Sequence, residues 1–289
     1  MDNPSAASPV ANVSDTARWV AVYRAWESKR PDALFRDPYA EALAGERGRA
    51  IAAAMPRQAR NGWPLIARTK LTDDAILSAI AHGCDCVANL AAGLDARPYR
   101  LDLPSTLRWV EVDLPEIIDE KERALAAVRP RCRVQRIKAD LSDSQARATL
   151  FADIGRGSER ALVISEGLLI YLDDGQVRGL AQDLLSQPEI RWWVLDLASP
   201  ELLQLMQKTM GAHLANAPMK FGPENGVAYF EALGWSVAAV EPILRAAVRF
   251  NRLPWFLRLF ALFPLPDPRH LKRSRWSAVV TLERALHLH

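Results

Sequence analysis

The sequence is poor in cysteine, histidine and glycine. It holds three cysteines and five histidines in 289 residues. An odd number of cysteines builds no paired disulfide framework. Cys84 and Cys86 form a C-x-C pair with no second ligand pair to complete a tetrahedral zinc site. The histidines are scattered and make no HExxH. The cysteines therefore read as core residues of a chain in a reducing cytoplasm. No long apolar run is present either. The most apolar stretch, "LPWFLRLFALFPLP", is broken by Arg258 and by prolines and is too short to span a bilayer. The first ten residues have neither a basic leader nor an apolar segment, so they do not read as a signal peptide. A net charge of +3 is small for this length and gives no sign of a nucleic-acid binder. Finally, no loop carries the three glycines that a dinucleotide cradle needs.

The sequence does contain two rhythms. Residues 1–12 are polar and rich in Pro and Ser, as in a loose tail. Residues 13–82 read as a helical layer. "SDTARWVAVYRAWES" begins it with Ser14 or Asp15 as cap, and "LIARTKLTDDAILSAIAHG" ends it at Gly83. Beyond Gly83, short apolar runs alternate with helical segments: "CVANLAA", "LRWVEVDLP", "CRVQRIKADL", "RALVISEGLLIYL" and "IRWWVLDLAS". Alternation of this kind predicts a parallel sheet covered on both faces, an α/β fold. "WSVAAVEP" and "WSAVVTLER" follow, with a long connection and no evident crossover helix. They predict an antiparallel edge. Residues 83–289 thus read as an α/β core, with a lid near 206–222, and 1–289 as a single domain.

In an open parallel sheet the ligand lies outside the carboxyl ends of the strands. Here those ends are Ala91 to Asp95, Asp113, Asp140 with Leu141, and Glu166 with Gly167. Gly93 sits where the first strand turns to its helix, and Asp113 follows 20 residues later. A carboxylate at that distance suits the vicinal hydroxyls of a ribose. One glycine and four acids would repel a pyrophosphate. They suit a nucleoside carrying positive charge, such as S-adenosylmethionine with its sulfonium and ammonium groups. Arg68, on the preceding helix, is the candidate partner for its carboxylate. Each acid also has a structural reading. Asp95, Asp140 or Asp143 serves equally as a helix cap, and Glu166 as the partner of a core arginine.

The segments "ARTKLTDDAIL", "NLAAGLDARPYRL", "RWVEVDLPEIIDEKERAL", "KADL" and "ISEGLLIYL" resemble the leucine carboxyl methyltransferase family. The resemblance is closer still to its bacterial branch of S-adenosylmethionine-dependent O-methyltransferases, which is associated with polyketide and related secondary metabolism. It runs from about Ser14 to Arg284. It implies a Rossmann-like class I methyltransferase sheet over residues 83–289, mostly parallel and seven-stranded, with an antiparallel edge strand and a helical N-terminal cap. By motif position it implies that Arg68 binds the methionine carboxylate, Gly93 lies beside the methionine portion and Asp113 takes the ribose hydroxyls. Asp140 and Leu141 would contact adenine, Glu166 would sit near the ammonium group and Tyr171 would line the transfer pocket. Family members usually carry glycine where this chain has Ala91.

Methyl transfer from a sulfonium needs placement above all. A carboxylate acceptor requires no base, whereas a hydroxyl acceptor benefits from one. No histidine lies in the motifs, and His213 in the lid is the best candidate base. The acceptor would enter between lid and cap, past Arg18, Tyr23 and Arg24. The expected acceptor is a small molecule. The alternatives are a protein C-terminal carboxylate, or cofactor binding without turnover. Oligomeric state is not legible. From Glu241 onward arginines outnumber acids and are interleaved with aromatics, a solvated face or a patch for a partner.

Overall fold

A computed structural model describes residues 8–56 and 59–285. Helix α1, Val13–Ser28, is capped by Asn12, whose side chain accepts from the Asp15 N–H. The cap thus falls two residues ahead of Ser14, because Asn12 is the last residue with extended backbone. The expected loose tail is corrected in part. Residues 1–7 lie outside the described residues, but Val10 is fully buried. The Val10 carbonyl accepts from Asn216 Nδ2 at 3.0 Å and Ser8 Oγ donates to the His213 carbonyl at 2.8 Å. Helices α2, Ala40–Ala54, and α3, Trp63–Ala81, complete the N-terminal layer.

Seven strands follow: β1 Cys86–Leu90, β2 Arg108–Asp113, β3 Arg133–Lys138, β4 Ala161–Ser165, β5 Ile190–Ala198, β6 Trp235–Pro242 and β7 Ser277–Arg284. Between them run α4 Arg97–Arg100, α5 Pro115–Ala124, α6 Ser144–Arg156, α7 Asp174–Leu185, α8 Pro200–Met210, α9 Ala228–Glu231 and α10 Ile243–Arg249. Asp143 caps α6, and Asp173 with Gln176 forms a capping box on α7. The sheet order is β3-β2-β1-β4-β5-β7-β6. Strands β1 to β5 pair in parallel, while β7 runs antiparallel to both β5 and β6. The reversed strand is therefore β7, one place in from the sheet's edge. The β6–β7 connection contains α10 and two 3₁₀ turns, which the sequence did not announce because α10 is only seven residues long.

The period of two divides the strands between two cores. Cys86, Ala88, Val110, Val163 and Trp193 pack with α6, α7 and α9. Val87, Trp109, Leu162, Ile164 and Val194 pack with α3 and α10. With both faces covered, β1 and β4 are buried throughout, as continuous apolar strands should be. A third core joins α1 and α2 to Leu94, Tyr99, Leu203, Leu214 and Met219. That cluster lies over the carboxyl ends of the strands and roofs the site. Cys84, Cys86 and Cys132 are all buried and unpaired.

Candidate functional site

Where β1 ends, the backbone turns through Ala91 and Gly93 with φ values of +50° and +49°. Glycine adopts this region freely, whereas for alanine it costs about 1–2 kcal/mol. The turn lets the Gly93 N–H donate to Asp113 Oδ2 at 2.6 Å. The Leu114 N–H donates to Asp113 Oδ1 at 2.7 Å. The carboxylate at the tip of β2 is therefore fixed against the β1 loop, and each oxygen retains a lone pair. Burial raises the Asp113 pKa above its ordinary value, against the opposing pull of the two N–H groups. Helix α1 crosses directly above. A Cβ on Gly93 would come within 3.1 Å of the Ala17 Cβ, so only glycine fits here without displacing α1.

Asp140 stands exposed after β3, and its Oδ1 accepts from the Ser142 N–H at 2.8 Å. That hydrogen bond lowers its pKa. Leu141 beside it is half-buried against the α6–α7 core.

Glu166, after β4, is shared between two arginines. Arg68 Nε of α3 donates to its Oε1 at 3.0 Å, and Arg97 Nη2 to its Oε2 at 2.7 Å. Burial opposes ionisation of Glu166, but Arg97 and Arg68 outweigh it and hold the pKa below the ordinary value. Arg68 Nη1 donates onward to Asp196 Oδ2 of β5 at 2.9 Å, and Asp196 Oδ1 accepts from the Gly167 N–H at 2.6 Å. Arg68 Nη2 makes no hydrogen bond among the described residues.

Arg97 also holds Asp73 at 2.6 Å and Asp95 at 2.7 Å. Arg100 shares Asp73 at 2.7 Å and approaches Asp37 to 3.9 Å, and Asp37 pairs with Arg24 at 2.9 Å. The result is a continuous belt of four arginines and five carboxylates, with one negative charge in excess. It knits α1, α3, the β1 loop and the ends of β4 and β5. Asp95 is not the cap of α4, which is Ala96; its Oδ1 accepts from the Arg97 N–H at 2.8 Å and its Oδ2 from Asn89 Nδ2 at 2.8 Å. Sequence reasoning gave no role to Arg97, Asp73, Arg100, Asp37 or Asp196. The available signal was charge clustering within "ARTKLTDDAIL" and "LDARPYRL", whose pairings run across up to 128 residues.

Tyr171 ends a 3₁₀ turn, Leu169–Tyr171, and is half-buried. Burial pushes its phenol up, and Thr16 of α1, Arg68 and Asp196 are its polar neighbours. His213 lies in the turns after α8. Its Nδ1 is buried and makes no hydrogen bond among the described residues. The segment carrying it is tied to the Tyr171 turn, since the Lys220 N–H donates to the Ile170 carbonyl at 2.7 Å. Arg18, Tyr23 and Arg24 do not line an open entrance. Tyr23 is 1% exposed and donates to the Ala59 carbonyl at 2.8 Å. Arg24 is buried against Asp37 and the Leu94 carbonyl, and Arg18 is paired with Asp15 and Glu120.

This sheet, with a carboxylate at the tip of β2 held to the β1 loop, is the Rossmann-like fold of class I methyltransferases. The chain belongs to the leucine carboxyl methyltransferase family, whose model matches residues 17–185. It is 37% identical over 194 residues to a Parafrankia protein named as an S-adenosyl-L-methionine-dependent methyltransferase, a match covering 63% of this chain and 62% of that one. The chain thus spans under two thirds of that relative. Two others with the same name are matched along most of their length. One, from Frankia alni, is 35% identical over 80% of this chain and 89% of its own. The other, from Rhodococcus jostii, is 32% identical over 85% and 90%. Among solved structures, a DUF574-family protein of Streptomyces avermitilis superposes with a TM-score of 0.57 at 16% identity, covering 93% of this chain and 97% of that one. The protein is a methyltransferase dependent on S-adenosylmethionine.

Ala91 holds a positive φ of +50°, at a position where the resemblance to the family implies glycine. Its positive φ makes Ala91→Gly a relief of strain, offset by the entropy that glycine gains in the unfolded chain. The expected result is a net stabilisation of about 0.5–1 kcal/mol, seen as a higher midpoint in thermal unfolding. A lower midpoint would mean that the methyl group packs usefully.

Proposed function

We propose that the protein transfers the methyl group of S-adenosylmethionine to an oxygen of a small molecule, either a carboxylate or a hydroxyl. The observation that carries this reading is the fixed Asp113 carboxylate, held by two N–H groups with outward lone pairs left over. Those lone pairs suit the two hydroxyls of a ribose. Gly93 lets the β1 loop turn under α1 and hold Asp113 through its N–H, and Asp140 with Leu141 offers an acceptor and an apolar wall to adenine. Arg68 presents Nη2 to a carboxylate. Glu166 and Asp196 fix Arg68 in place and leave the mouth with the excess negative charge that a cationic ligand favours. The cofactor, when bound, supplies an already activated methyl group, so the chain's task is to bind, orient and exclude water.

A small acceptor is favoured by the roof. Helix α1 lies against Gly93, and Leu214, Ala217 and Met219 pack into the same cluster as α1. A site so covered suits a molecule that can be enclosed better than the tail of a folded protein. Tyr171 would shape the transfer pocket. His213, whose buried Nδ1 makes no hydrogen bond among the described residues, would take a proton from a hydroxyl acceptor.

The experiment is incubation with methyl-labelled cofactor and cell extract, followed by separation by size. Label in the small-molecule fraction is expected, and label on protein would assign the site to a C-terminal carboxylate instead. With an acceptor in hand, His213→Ala separates the chemistries. A hydroxyl acceptor predicts a fall in kcat of about 10²–10⁴, and a carboxylate acceptor predicts none.

A further inference from the structure

The connection between β6 and β7 exposes an unusual concentration of apolar side chains. Trp255 is 82% exposed, Leu262 76%, Leu259 68%, Phe263 66% and Phe256 55%. All five fall within nine consecutive residues. Neighbouring residues of the same segment are firmly anchored, since Leu253 and Ala261 are buried and Leu257 packs against the α3–α10 core. Arg245 Nη2 donates to the Phe263 carbonyl at 3.1 Å, and Arg252 is clamped to Glu27 at 2.7 Å and to Asp32 at 3.0 Å. The loop is thus fixed in a shape that turns its largest apolar groups outward. Between Glu241 and Asp267 the sequence has four arginines and no acid. Among the described residues Arg245 and Arg258 form no ion pair.

We propose that this loop docks the enzyme onto an anionic lipid surface, with its aromatic and leucine side chains in the headgroup region and its arginines on lipid phosphates. Charge complementarity selects this occupant. A second copy meeting the same face would set arginines against arginines. A stable protein interface draws on roughly 20–30 residues a side, whereas here the five most exposed large apolar side chains among the described residues all come from one short loop, bounded by Pro254, Pro264 and Pro266. Shallow burial of Trp, Phe and Leu beside basic residues is the pattern of interfacial binding. No described helix is long and apolar enough to cross a membrane, so attachment would be peripheral.

The test is co-sedimentation of the full chain with vesicles of phosphatidylcholine alone and with about a third phosphatidylglycerol. Two unpaired arginines near an anionic surface predict about thirtyfold stronger partitioning onto the mixed vesicles. Raising the salt to about 1 M should remove most of that gain. The triple variant W255S/L259S/L262S should lose binding while keeping its cofactor affinity and thermal midpoint, and Arg258→Gln should lose part of the lipid selectivity. Equal partitioning of wild type and triple variant would overturn the proposal. So would a wild-type dimer in light scattering that the triple variant converts to monomer, which would give the face to a second copy.

Discussion

Asp113→Ala is expected to cost the protein its cofactor. Removing the carboxylate takes away the acceptor proposed for two ribose hydroxyls. Hydrogen bonds to a charged group contribute about 1.5–3 kcal/mol each, so the affinity measured by calorimetry should fall by roughly 10²–10⁴. The same change strips the Gly93 and Leu114 N–H groups of their partner. Asp113→Asn keeps an oxygen for one of them and should bind better than Asp113→Ala, yet worse than wild type. Acidity provides an independent check. Burial raises the Asp113 pKa above 3.8, and only the ionised form accepts from both hydroxyls. Affinity should therefore weaken as the pH falls through that raised pKa, at higher pH than an ordinary aspartate would give. The sign for stability is opposite. A raised pKa in the folded state means that ionising the buried group destabilises, and protonation relieves this as the pH falls. Calorimetric affinity for Asp113→Ala within about threefold of wild type, under 1 kcal/mol, would remove Asp113 from the ribose site.

The strand ends were legible because the period of two, the short apolar runs and the glycine after β1 are local signals. Asp113, Asp140 and Glu166 could be placed at the mouth from chain order alone. The belt was not legible, because it depends on which arginine reaches which acid through space. Arg68 illustrates the difference. As a lone cation on a helix it reads as a ligand for a carboxylate, yet two of its nitrogens already serve Glu166 and Asp196. Lys121 is a second case. Nothing local in "EIIDEKERAL" sets it apart from the charges around it, but it is fully buried and donates to Glu111 Oε1 at 2.7 Å. Arg136 holds the other oxygen of Glu111 at 2.9 Å. Residues 8–12, the described part of the expected tail, differ for the opposite reason. Its composition is polar, but a single valine, Val10, finds a buried place under the turn that carries His213.

Arg97 should be the most costly belt residue to lose. It is 3% exposed and bonds three carboxylates: Asp73 from α3, Asp95 from the β1 loop and Glu166 from β4. Its flat fork of donors is what allows one side chain to bridge three elements, and a lysine offers no equivalent. Arg97→Met preserves bulk but leaves buried charge uncompensated. Breaking a buried pair in this way costs about 3–5 kcal/mol, and at about 2–4 °C per kcal/mol the thermal midpoint should drop by roughly 6–20 °C. Arg97→Lys should fall between the two. The loss should also depend on pH in a defined direction. Glu166 and Asp95 have depressed pKa values in the fold, with desolvation overcome chiefly by Arg97. Their pairing stabilises fully above the ordinary carboxylate values of 4.5 and 3.8, and that stabilisation is lost as the pH falls through the depressed values. Without Arg97 the two acids take up protons at higher pH, which relieves the variant. The gap in midpoint between wild type and Arg97→Met should thus be widest near neutrality and narrow as the solution is acidified. A gap that stays constant with pH would mean that Arg97 contributes packing rather than charge. A gap under about 2 °C at neutral pH, less than one kcal/mol, would mean that the belt relaxes around the loss. In that case Glu166, held only by Arg68, would be free to turn toward the cofactor.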